Sequence, residues 1–213
     1  MKAASPRARL ARCPRCFLHL RLCLCALVRP VALATRVVVL QHAKEALKPT
    51  NSGRLVASTL ANGEVRAFGR RGVELDLAGL SDPARRTLLL YPSEGSRPLA
   101  VAPDDARPIT LVVLDADWRR AYKLASHAGL AGLERAHVPG GAPSTYRLRH
   151  HADPRFLATF EAVARALGVL EGADVQARLE HVFRLMVERT LWSRGQLAAE
   201  RVTGGVPARG PDA

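Results

Sequence analysis

Runs of apolar residues separated by polar clusters divide most of the chain into alternating strands and helices. Three short runs are continuously apolar or β-branched, namely Val37–Leu40, Thr87–Tyr91 and Ile109–Leu114. Such runs are typical of strands that are covered on both faces in a parallel sheet. The pattern therefore predicts an α/β fold, with a mostly parallel sheet flanked by helices.

Turn and cap residues mark the helices between these strands. Thr50–Gly53 is a turn and cap signal, and Arg54–Leu60 is predicted to form a short helix after it. Asp117 is placed to cap a helix that runs from Trp118 to about His127, with Trp118, Tyr122 and Ala125 on one face.

The last third of the chain is predicted to be mainly helical. Tyr146–Arg149 is a candidate fourth strand, and two helices are expected, at Phe156–Leu167 and from Val175 to about Leu197. Residues 201–213 are rich in Gly and Pro, which predicts a flexible tail. We therefore divide the chain into a basic arm (1–29), a main domain (30–200) and this tail.

Composition and charge narrow the class of protein. Of the 213 residues, 48% are hydrophobic, which is ordinary for a globular chain. No uncharged stretch approaches the ~20 apolar residues that a membrane span requires, so an integral membrane protein is excluded. Lys and Arg together number 32 against 19 Asp and Glu, and the net charge of +13 predicts a polyanionic partner.

The first 29 residues carry seven basic side chains, no acidic one and all four cysteines. A secretory signal peptide is not expected, because His19 and Arg21 interrupt the apolar run from Phe17 to Val28. A mitochondrial transit peptide has a similar charge pattern. Four ordered thiols favour an intact module over a cleaved segment, and we expect the protein to be cytoplasmic.

The cysteines form two close pairs, Cys13-x2-Cys16 and Cys23-x-Cys25. Two such pairs can complete a tetrahedral zinc site, with Pro14 favouring the tight turn in the first pair. The alternatives are two disulfides or four unpaired thiols, and disulfides fit a small secreted domain. The spacing predicts a structural zinc site that displays Arg12, Arg15 and Arg21 around the metal.

Three polar clusters fall at the carboxyl ends of predicted strands. They are His42 and Glu45 with Thr50–Arg54, then Tyr91–Glu94, and then Asp115–Trp118. Each alone has a structural explanation, as a helix cap, a core residue or an exposed turn. Ligands of open α/β sheets bind beyond this edge, so together they predict a small-molecule site. The loop Pro139–Ser144 is a candidate flexible wall.

Several motifs in one order closely resemble the DTW-domain family, named for its D-x-T-W signature. They are the cysteine pairs, His42-x2-Glu45, Thr50-Asn51-Ser52-Gly53-Arg54, Leu90-Tyr91-Pro92-Ser93-Glu94, Asp115-x-Asp117-Trp118, Ser144 to Arg149, and Leu157 to Ala162. The resemblance covers roughly residues 12 to 190. Two residues depart from the family pattern, because Asp117 and Ser52 stand where the family has Thr.

The resemblance implies a fold and an activity. Family members include tRNA-uridine aminocarboxypropyltransferases, which look like relatives of the knotted SPOUT methyltransferases. They transfer the 3-amino-3-carboxypropyl group of S-adenosylmethionine to N3 of a tRNA uridine, leaving methylthioadenosine. A SPOUT-like fold, S-adenosylmethionine as donor and tRNA as partner are therefore the expectations for this chain.

Roles for individual residues follow from this chemistry. Asp115 is the candidate general base for uracil N3, and Asp117 and Trp118 complete the catalytic set. Glu94 or Asp117 is expected to bind the donor's ammonium, and the amides around Ser93 or the Arg54 side chain its carboxylate. Trp118 either stacks on adenine or supports the pocket from behind. Asp117 either keeps the capping role of Thr or weakens RNA or cofactor binding through its charge.

The other cofactor-binding residues are expected within the matching motifs. They are Thr50, Asn51, Ser52, Gly53, Leu90, Tyr91, Pro92, Ser93, Glu94, Tyr146, Leu148, Thr159 and Glu161.

Basic residues follow the candidate site closely and are predicted to contact RNA. They are Arg119, Arg120, Lys123, Arg147 and Arg149, with His150, His151 and Arg155 beyond them. If they line the rim of the site, they will hold phosphates and make affinity sensitive to salt. The alternative is a solvated charged surface.

Two other function classes stay open. One is a different enzyme on the same scaffold, either an rRNA aminocarboxypropyltransferase or an S-adenosylmethionine-dependent RNA methyltransferase. The other is a non-catalytic, zinc-stapled RNA-binding protein in which Asp117 marks a decayed active site. The sequence leaves a monomer and a homodimer equally open.

Overall fold

Six strands form one parallel sheet in a computed structural model that describes residues 11–149 and 156–207. They are β1 (Arg36–His42), β2 (Gly63–Phe68), β3 (Arg86–Leu90), β4 (Arg97–Pro98), β5 (Ile109–Asp115) and β6 (Glu134–His137). Their order is β2-β1-β5-β3-β6-β4, and every neighbouring pair is parallel. The predicted α/β class is therefore confirmed.

The register of the central strands brings the predicted polar clusters to one edge. Gln41 of β1 lies opposite Asp115 of β5, and Leu90 of β3 lies opposite Val113 of β5. Since all three strands run in the same direction, the residues that follow them meet at the carboxyl edge of the sheet.

Helices cover both faces of the sheet. They are α1 (Ala43–Ala46), α2 (Val56–Thr59), α3 (Trp118–Ala125), α4 (Ala128–Ala131), α5 (Thr159–Glu171) and α6 (Ala173–Ser193). Alternate strand residues face opposite sides, so Val39 and Val113 belong to the core with α5 and α6, whereas Leu40 and Val112 pack with α3 and α4. Burial on both faces explains why β1, β3 and β5 are continuously apolar.

The candidate strand Tyr146–Arg149 is wrong, because these residues form an irregular turn. The preceding strand β6 has no free edge for these residues to pair with, because β3 pairs on one side of it and β4 on the other. The backbone amide of Tyr146 instead donates to Ser144 Oγ at 3.1 Å. Strands β2, β4 and β6 went unpredicted because they are short or carry charged residues.

The boundaries of the last two helices differ from prediction at both ends, since α5 also continues to Glu171 rather than ending at Leu167. Helix α5 begins at Thr159 rather than at Phe156, because Glu161 reaches back and accepts a hydrogen bond from the Ala158 amide at 3.0 Å. Helix α6 runs from Ala173 to Ser193, a turn shorter at its carboxyl end than expected.

The expectation of a flexible tail over 201–213 does not hold for residues 201–207. Val202 is buried, and the Thr203 amide donates to Glu188 of α6 at 2.7 Å. The rest of that segment, residues 208–213, lies outside the described residues.

The cysteine arm packs against the same core as the sheet. Leu18, Leu22 and Leu24 are buried in the cluster that contains α5 and α6. Arg189 of α6 donates a hydrogen bond to the carbonyl oxygen of Cys23 at 2.5 Å. The described part of the arm, residues 11–29, is thus attached to the main domain along its length. Within the described ranges, no helix combines the length and apolarity needed to cross a bilayer.

Candidate functional site

A cavity of about 480 Å³ lies at the carboxyl edge of the sheet. Thr50, Tyr91 and Asp115, which follow or end three different strands, all contribute to its lining. Its size is within the range of small-molecule sites. A more open depression of about 610 Å³ lies at the opposite edge, where its charges are paired, as in Arg86 with Glu134 at 2.6 Å. The carboxyl-edge cavity is therefore the candidate site.

Asp115 stands at the floor of the cavity and is only 4% exposed. Its Oδ2 atom accepts hydrogen bonds from Gln41 Nε2 at 2.8 Å and from Asn51 Nδ2 at 2.6 Å, and its Oδ1 accepts one from Thr159 Oγ1 at 2.7 Å. A carboxylate offers about four acceptor positions. Three protein donors therefore fix its orientation and leave one position for a ligand.

Gly53 allows this close packing. A Cβ atom at this position would lie 2.7 Å from Asp115 Oδ2, a distance that side chains do not tolerate. The glycine in Thr50-Asn51-Ser52-Gly53 is thus required by the approach of the backbone to the carboxylate. Gly53 lies behind Asp115 and does not line the cavity.

A second polar group surrounds Thr50. The Tyr146 hydroxyl donates to the Thr50 carbonyl oxygen, and Arg149 Nε donates to Thr50 Oγ1 at 2.9 Å. Burial raises the pKa of Tyr146, against the opposing effect of Arg149, so its hydroxyl keeps its proton. Arg149 Nη1 also pairs with buried Glu45 at 3.2 Å, and Glu45 pairs with Lys48.

Arg149 retains one unused donor. Its Nη2 atom is buried and has no hydrogen-bond partner among the residues that the structure describes. An unsatisfied buried donor costs about 1–3 kcal/mol, which a bound anionic group recovers. Because Arg149 lines the cavity, this atom is a candidate binding point for a ligand carboxylate.

Three aromatic rings form one wall of the cavity. The ring centroids of Tyr91 and Trp118 are 6.2 Å apart, and those of Trp118 and Phe156 are 4.9 Å apart. Trp118 is 46% exposed, so it lies at the mouth of the cavity rather than behind it. Its position favours stacking on a planar ligand over support of the pocket from behind.

Asp117 caps helix α3 at the edge of the cavity. Its Oδ1 accepts a hydrogen bond from the Arg120 amide at 3.0 Å, and its Oδ2 forms an ion pair with the Arg120 side chain. Both contacts lower the pKa of Asp117, and the hydrogen bond from the Arg120 amide has the larger effect. The charge that Asp adds relative to Thr is therefore balanced by Arg120, and the capping geometry is retained.

The cavity collects most, but not all, of the predicted cofactor-binding residues. Those on its lining are Thr50, Asn51, Ser52, Leu90, Tyr91, Pro92, Tyr146 and Thr159. Those outside it are Gly53, Ser93, Glu94, Leu148 and Glu161. Glu94 is exposed, which separates it from any ligand in the cavity, and Leu148 is buried in the core.

Glu161 supports the loop beside the cavity. Its carboxylate accepts hydrogen bonds from Ser144 Oγ at 2.5 Å and from the Thr145 amide at 2.7 Å. Arg165 holds the preceding part of the loop by donating to the Ala142 carbonyl oxygen at 2.5 Å. The expected wall Pro139–Ser144 does not line the cavity, whereas Val138 and Tyr146 do.

The predicted RNA-contacting residues occupy three different places. Arg149 is inside the cavity, and Arg119, Arg120 and Lys123 are on α3 beside its mouth. Arg147 is exposed and lines a smaller cavity of about 210 Å³ with Arg165 and Arg184. His150, His151 and Arg155 lie outside the described residues.

The four cysteine sulfurs lie within 4.8 Å of one another. Cys13 and Cys25 are 3.5 Å apart and Cys16 and Cys23 are 3.8 Å apart, distances that exclude disulfide bonds here. Tetrahedral zinc with Zn–S bonds of about 2.3 Å requires sulfurs about 3.8 Å apart. Burial opposes ionisation of Cys13, but the Cys16 and Arg15 amides lower its pKa to about 6. The cluster can therefore bind a metal ion.

Arg54 links this cluster to the cavity and does not itself line it. Its guanidinium donates to the carbonyl oxygens of Phe17 at 3.4 Å and of Lys48 at 2.6 Å. Its backbone amide donates to Asn51 Oδ1 at 3.2 Å. The Arg54 side chain therefore directs its donors at the protein itself and not into the cavity.

Gln41 was not predicted to take part in the site, and Glu45 was placed in one of its polar clusters without a role of its own. Gln41 bridges Asn51 and Asp115, and its signal is a lone polar residue at the end of an apolar strand. Glu45 lines the cavity, and its signal is the acidic position of the His42-x2-Glu45 motif.

Comparison with known proteins gives one family. The DTW domain matches residues 10–191. A protein of Drosophila melanogaster named tRNA-uridine aminocarboxypropyltransferase 2 is 30% identical over 177 residues, which are 79% of this chain and 70% of the fly protein. A mouse (Mus musculus) protein of the same name is 28% identical over 171 residues, 76% of this chain and 57% of its own length. No solved structure matches the chain.

Proposed function

Since this chain belongs to the DTW domain family, we propose that it transfers the 3-amino-3-carboxypropyl group of S-adenosylmethionine to N3 of a uridine in tRNA. The observation that carries the proposal is the single cavity that joins Thr50, Tyr91, Asp115 and Trp118. These residues come from the separate motifs that resemble the family, and one cavity can present them to one donor and one acceptor. The names of the fly and mouse relatives support the same transfer to tRNA uridine.

The donor's charged end matches the polar groups around Thr50. Its carboxylate pairs with Arg149, whose Nη2 atom lacks a partner among the described residues. Its ammonium is assigned to Glu45, the buried acid on the cavity lining. This assignment replaces Glu94, which does not line the cavity, and keeps Asp117 as the second candidate, because Asp117 lines the cavity and, like Glu45, already pairs with an arginine.

The chemical step exchanges one bond for another. A bond forms between uracil N3 and the γ-carbon of the donor, and the bond from that carbon to sulfur breaks, with its electron pair leaving on methylthioadenosine. The sulfonium is a good leaving group, so the protein's main contribution is to hold the γ-carbon, and not the methyl group, in line with N3.

Asp115 receives the proton that uracil N3 must lose. Its fixed carboxylate has one acceptor position free, and Gln41, Asn51 and Thr159 prevent it from turning. A group held in this way can accept a proton from a base that enters the cavity. Trp118, at the mouth, stacks on the adenine or the uracil ring.

The cysteine cluster is assigned to structural zinc. Its four sulfurs fit the tetrahedral spacing, and thiolates are the ligands that zinc prefers in structural sites. When bound, the ion supplies cross-links within the arm and no chemistry in the cavity. A SPOUT-like, knotted arrangement of the parallel sheet also belongs to this proposal, as the family resemblance implies.

Transfer from two differently labelled donors tests the function. Purified protein is incubated with unmodified tRNA, or in parallel with unmodified rRNA, and with S-adenosylmethionine labelled either in the carboxypropyl group or in the methyl group. The proposal predicts carboxypropyl label in tRNA and methyl label in released methylthioadenosine. Methyl label in tRNA indicates a methyltransferase, transfer to rRNA alone indicates the other acceptor, and no binding of the donor by calorimetry indicates a non-catalytic protein.

A further inference from the structure

Helix α3 exposes two aromatic side chains next to the cavity. Trp118 is 46% exposed and Tyr122 is 67% exposed, and they lie one helical turn apart. Other residues of the same helix, Ala121, Leu124 and Ala125, provide its buried contacts with the sheet. Core packing therefore does not require either aromatic ring, and adjacent exposed rings of this kind mark an interaction surface.

The exposed rings are continuous with the cavity wall. Tyr91 lines the cavity and contacts Trp118, with ring centroids 6.2 Å apart. Tyr122 follows Trp118 by one helical turn and is exposed beside it. Aromatic surface thus extends from the inside of the cavity, past Trp118, to the outer face of α3.

The charge on this face is positive. Arg119 and Lys123 are exposed on α3 beside the two rings. No acidic residue occurs from Trp118 to Leu133, and the charge of Asp117 is already paired with Arg120. Exposed rings interleaved with basic side chains are the combination that binds single-stranded nucleic acid, through base stacking and phosphate contacts.

We propose that Tyr122 stacks on an unpaired nucleobase next to the target uridine, while Arg119 and Lys123 contact the phosphates on either side. This inference rests on the proposed function, because the target uridine is taken to enter the cavity past Trp118. The surface, defined by Trp118, Arg119, Tyr122 and Lys123, selects a single-stranded loop over a duplex, since only unpaired bases expose a face for stacking.

Substitutions at Tyr122 separate stacking from other contacts. Tyr122→Ala and Tyr122→Leu are expected to weaken binding of unmodified tRNA by about 5- to 150-fold, because both remove the ring. Tyr122→Phe and Tyr122→Trp are expected to bind within about 3-fold of the wild type, because both keep a ring that can stack. Val101→Ala truncates another exposed apolar side chain, on the strand-to-loop segment next to the opposite depression, and serves as the matched control.

The salt dependence of binding distinguishes stacking from charge. Arg119→Gln combined with Lys123→Gln should reduce the slope of log affinity against log salt by about 1.5, because two phosphate contacts are lost. Tyr122→Ala should lower affinity with the slope unchanged. A short oligouridylate should show the same loss, and an RNA duplex of equal length should bind equally well to the wild type and to Tyr122→Ala.

The outcomes separate this inference from the proposed function. If the wild type transfers the labelled carboxypropyl group to tRNA and Tyr122→Ala binds tRNA as tightly as the wild type, the stacking surface is wrong and the function stands. Full affinity in Tyr122→Leu also overturns stacking, because it shows that apolar area without a ring suffices. If the wild type transfers nothing to tRNA, the proposed function itself fails.

Discussion

The guanidinium of Arg54 lies over the ring of Phe17, 5.8 Å from its centroid, and donates a hydrogen bond to the Phe17 carbonyl oxygen. Phe17 immediately follows Cys16 and has a φ of 57°, a left-handed conformation that is uncommon for a phenylalanine. The turn of the cysteine arm therefore presents its carbonyl group to Arg54, and Arg54 in turn holds Lys48 and Asn51 at the cavity.

Replacing Arg54 should impair both stability and donor binding. Arg54→Met leaves the Lys48 carbonyl oxygen without its donor, and we expect the free energy of unfolding to fall by at least about 2 kcal/mol. Affinity for S-adenosylmethionine should fall as well, because Lys48 and Asn51, which line the cavity, lose their hydrogen bonds with the Arg54 side chain. Urea unfolding and calorimetry measure the two effects. Arg71→Met, which replaces an exposed arginine, is the control. If Arg54→Met and the milder Arg54→Lys both bind the donor as tightly as the wild type, Arg54 does not connect the cysteine arm to the cavity.

Metal content is the direct test of the cysteine cluster. Native mass spectrometry is expected to find one zinc ion per chain, and Cys23→Ser should lose it, because three thiolates and a hydroxyl complete the shell poorly. Zinc removal should also lower the melting temperature, because the arm packs on the same core as the sheet and its turns lose their cross-link. Arg21→Gln, beside the cluster but without a thiol, should retain the ion. Freshly purified wild type without metal would refute the assignment.

Replacing Arg149 should weaken binding of the donor more than binding of the product methylthioadenosine. Arg149→Gln is expected to weaken binding of S-adenosylmethionine by about 10- to 150-fold, the effect of losing hydrogen bonds to a charged group. Methylthioadenosine lacks the carboxylate, so its affinity should stay within about 3-fold of the wild-type value. Competition calorimetry measures both. An equal loss for the two ligands would show that Arg149 supports the cavity and does not bind the carboxylate.

Asp115→Asn should lower the rate of transfer without dissociating the donor. An asparagine can direct its oxygen at Gln41 and Asn51 and its amide at the Thr159 hydroxyl, so the three hydrogen bonds are conserved. It accepts no proton, and kcat should fall by about 100-fold or more. The Kd of Asp115→Asn for S-adenosylmethionine, measured by calorimetry, should hardly differ from the wild-type Kd. Near-normal turnover would exclude Asp115 as the proton acceptor.

The charge of Asp117 should stabilise the protein only above about pH 4. Its lowered pKa means that the charged form of Asp117 gains contacts on folding. The resulting stabilisation is fully present above the ordinary Asp pKa of about 3.9 and is lost as the pH falls through the pKa of Asp117 in the folded protein. Asp117→Asn keeps the cap, and its stability deficit against the wild type should disappear at lower pH. Asp117→Ala should cost about 0.5–2 kcal/mol. A deficit of Asp117→Asn that persists at low pH would contradict the ion pair.

The sequence predicted the centre of the sheet better than its edges. Strands β1, β3 and β5 are buried on both faces, so their composition leaves no alternative to a strand. Strands β2 and β6 carry Glu64, Arg66, Glu134 and Arg135 on less buried positions, where charge masks the pattern. Trp118, Tyr122 and Ala125 were expected on one face of α3, yet only Ala125 of the three is buried against the sheet, while both rings remain exposed.

In the site, too, residues with a local sequence signal were predicted, whereas contacts between distant parts of the chain were not. Asp115 and Thr50 were predicted because each follows a strand or opens a turn, which are local signals. Arg149 was predicted to contact RNA, but its contact with Thr50 joins residues 99 positions apart. The contact depends on the irregular turn at Tyr146–Arg149, and a strand at that position, as predicted, would have directed the side chain elsewhere.

The docking of the cysteine arm on α6 sets an order for biosynthesis. On the ribosome the arm emerges before α6, because Arg189, which donates to the Cys23 carbonyl oxygen, is synthesised 166 residues after Cys23. During that interval the nascent chain exposes the apolar leucines of the arm together with its four thiols. Early binding of a metal ion would fold the arm before α6 is available to pack on it. The bound ion would protect the thiols from oxidation, and the folded arm would avoid chaperone-dependent retention until translation ends.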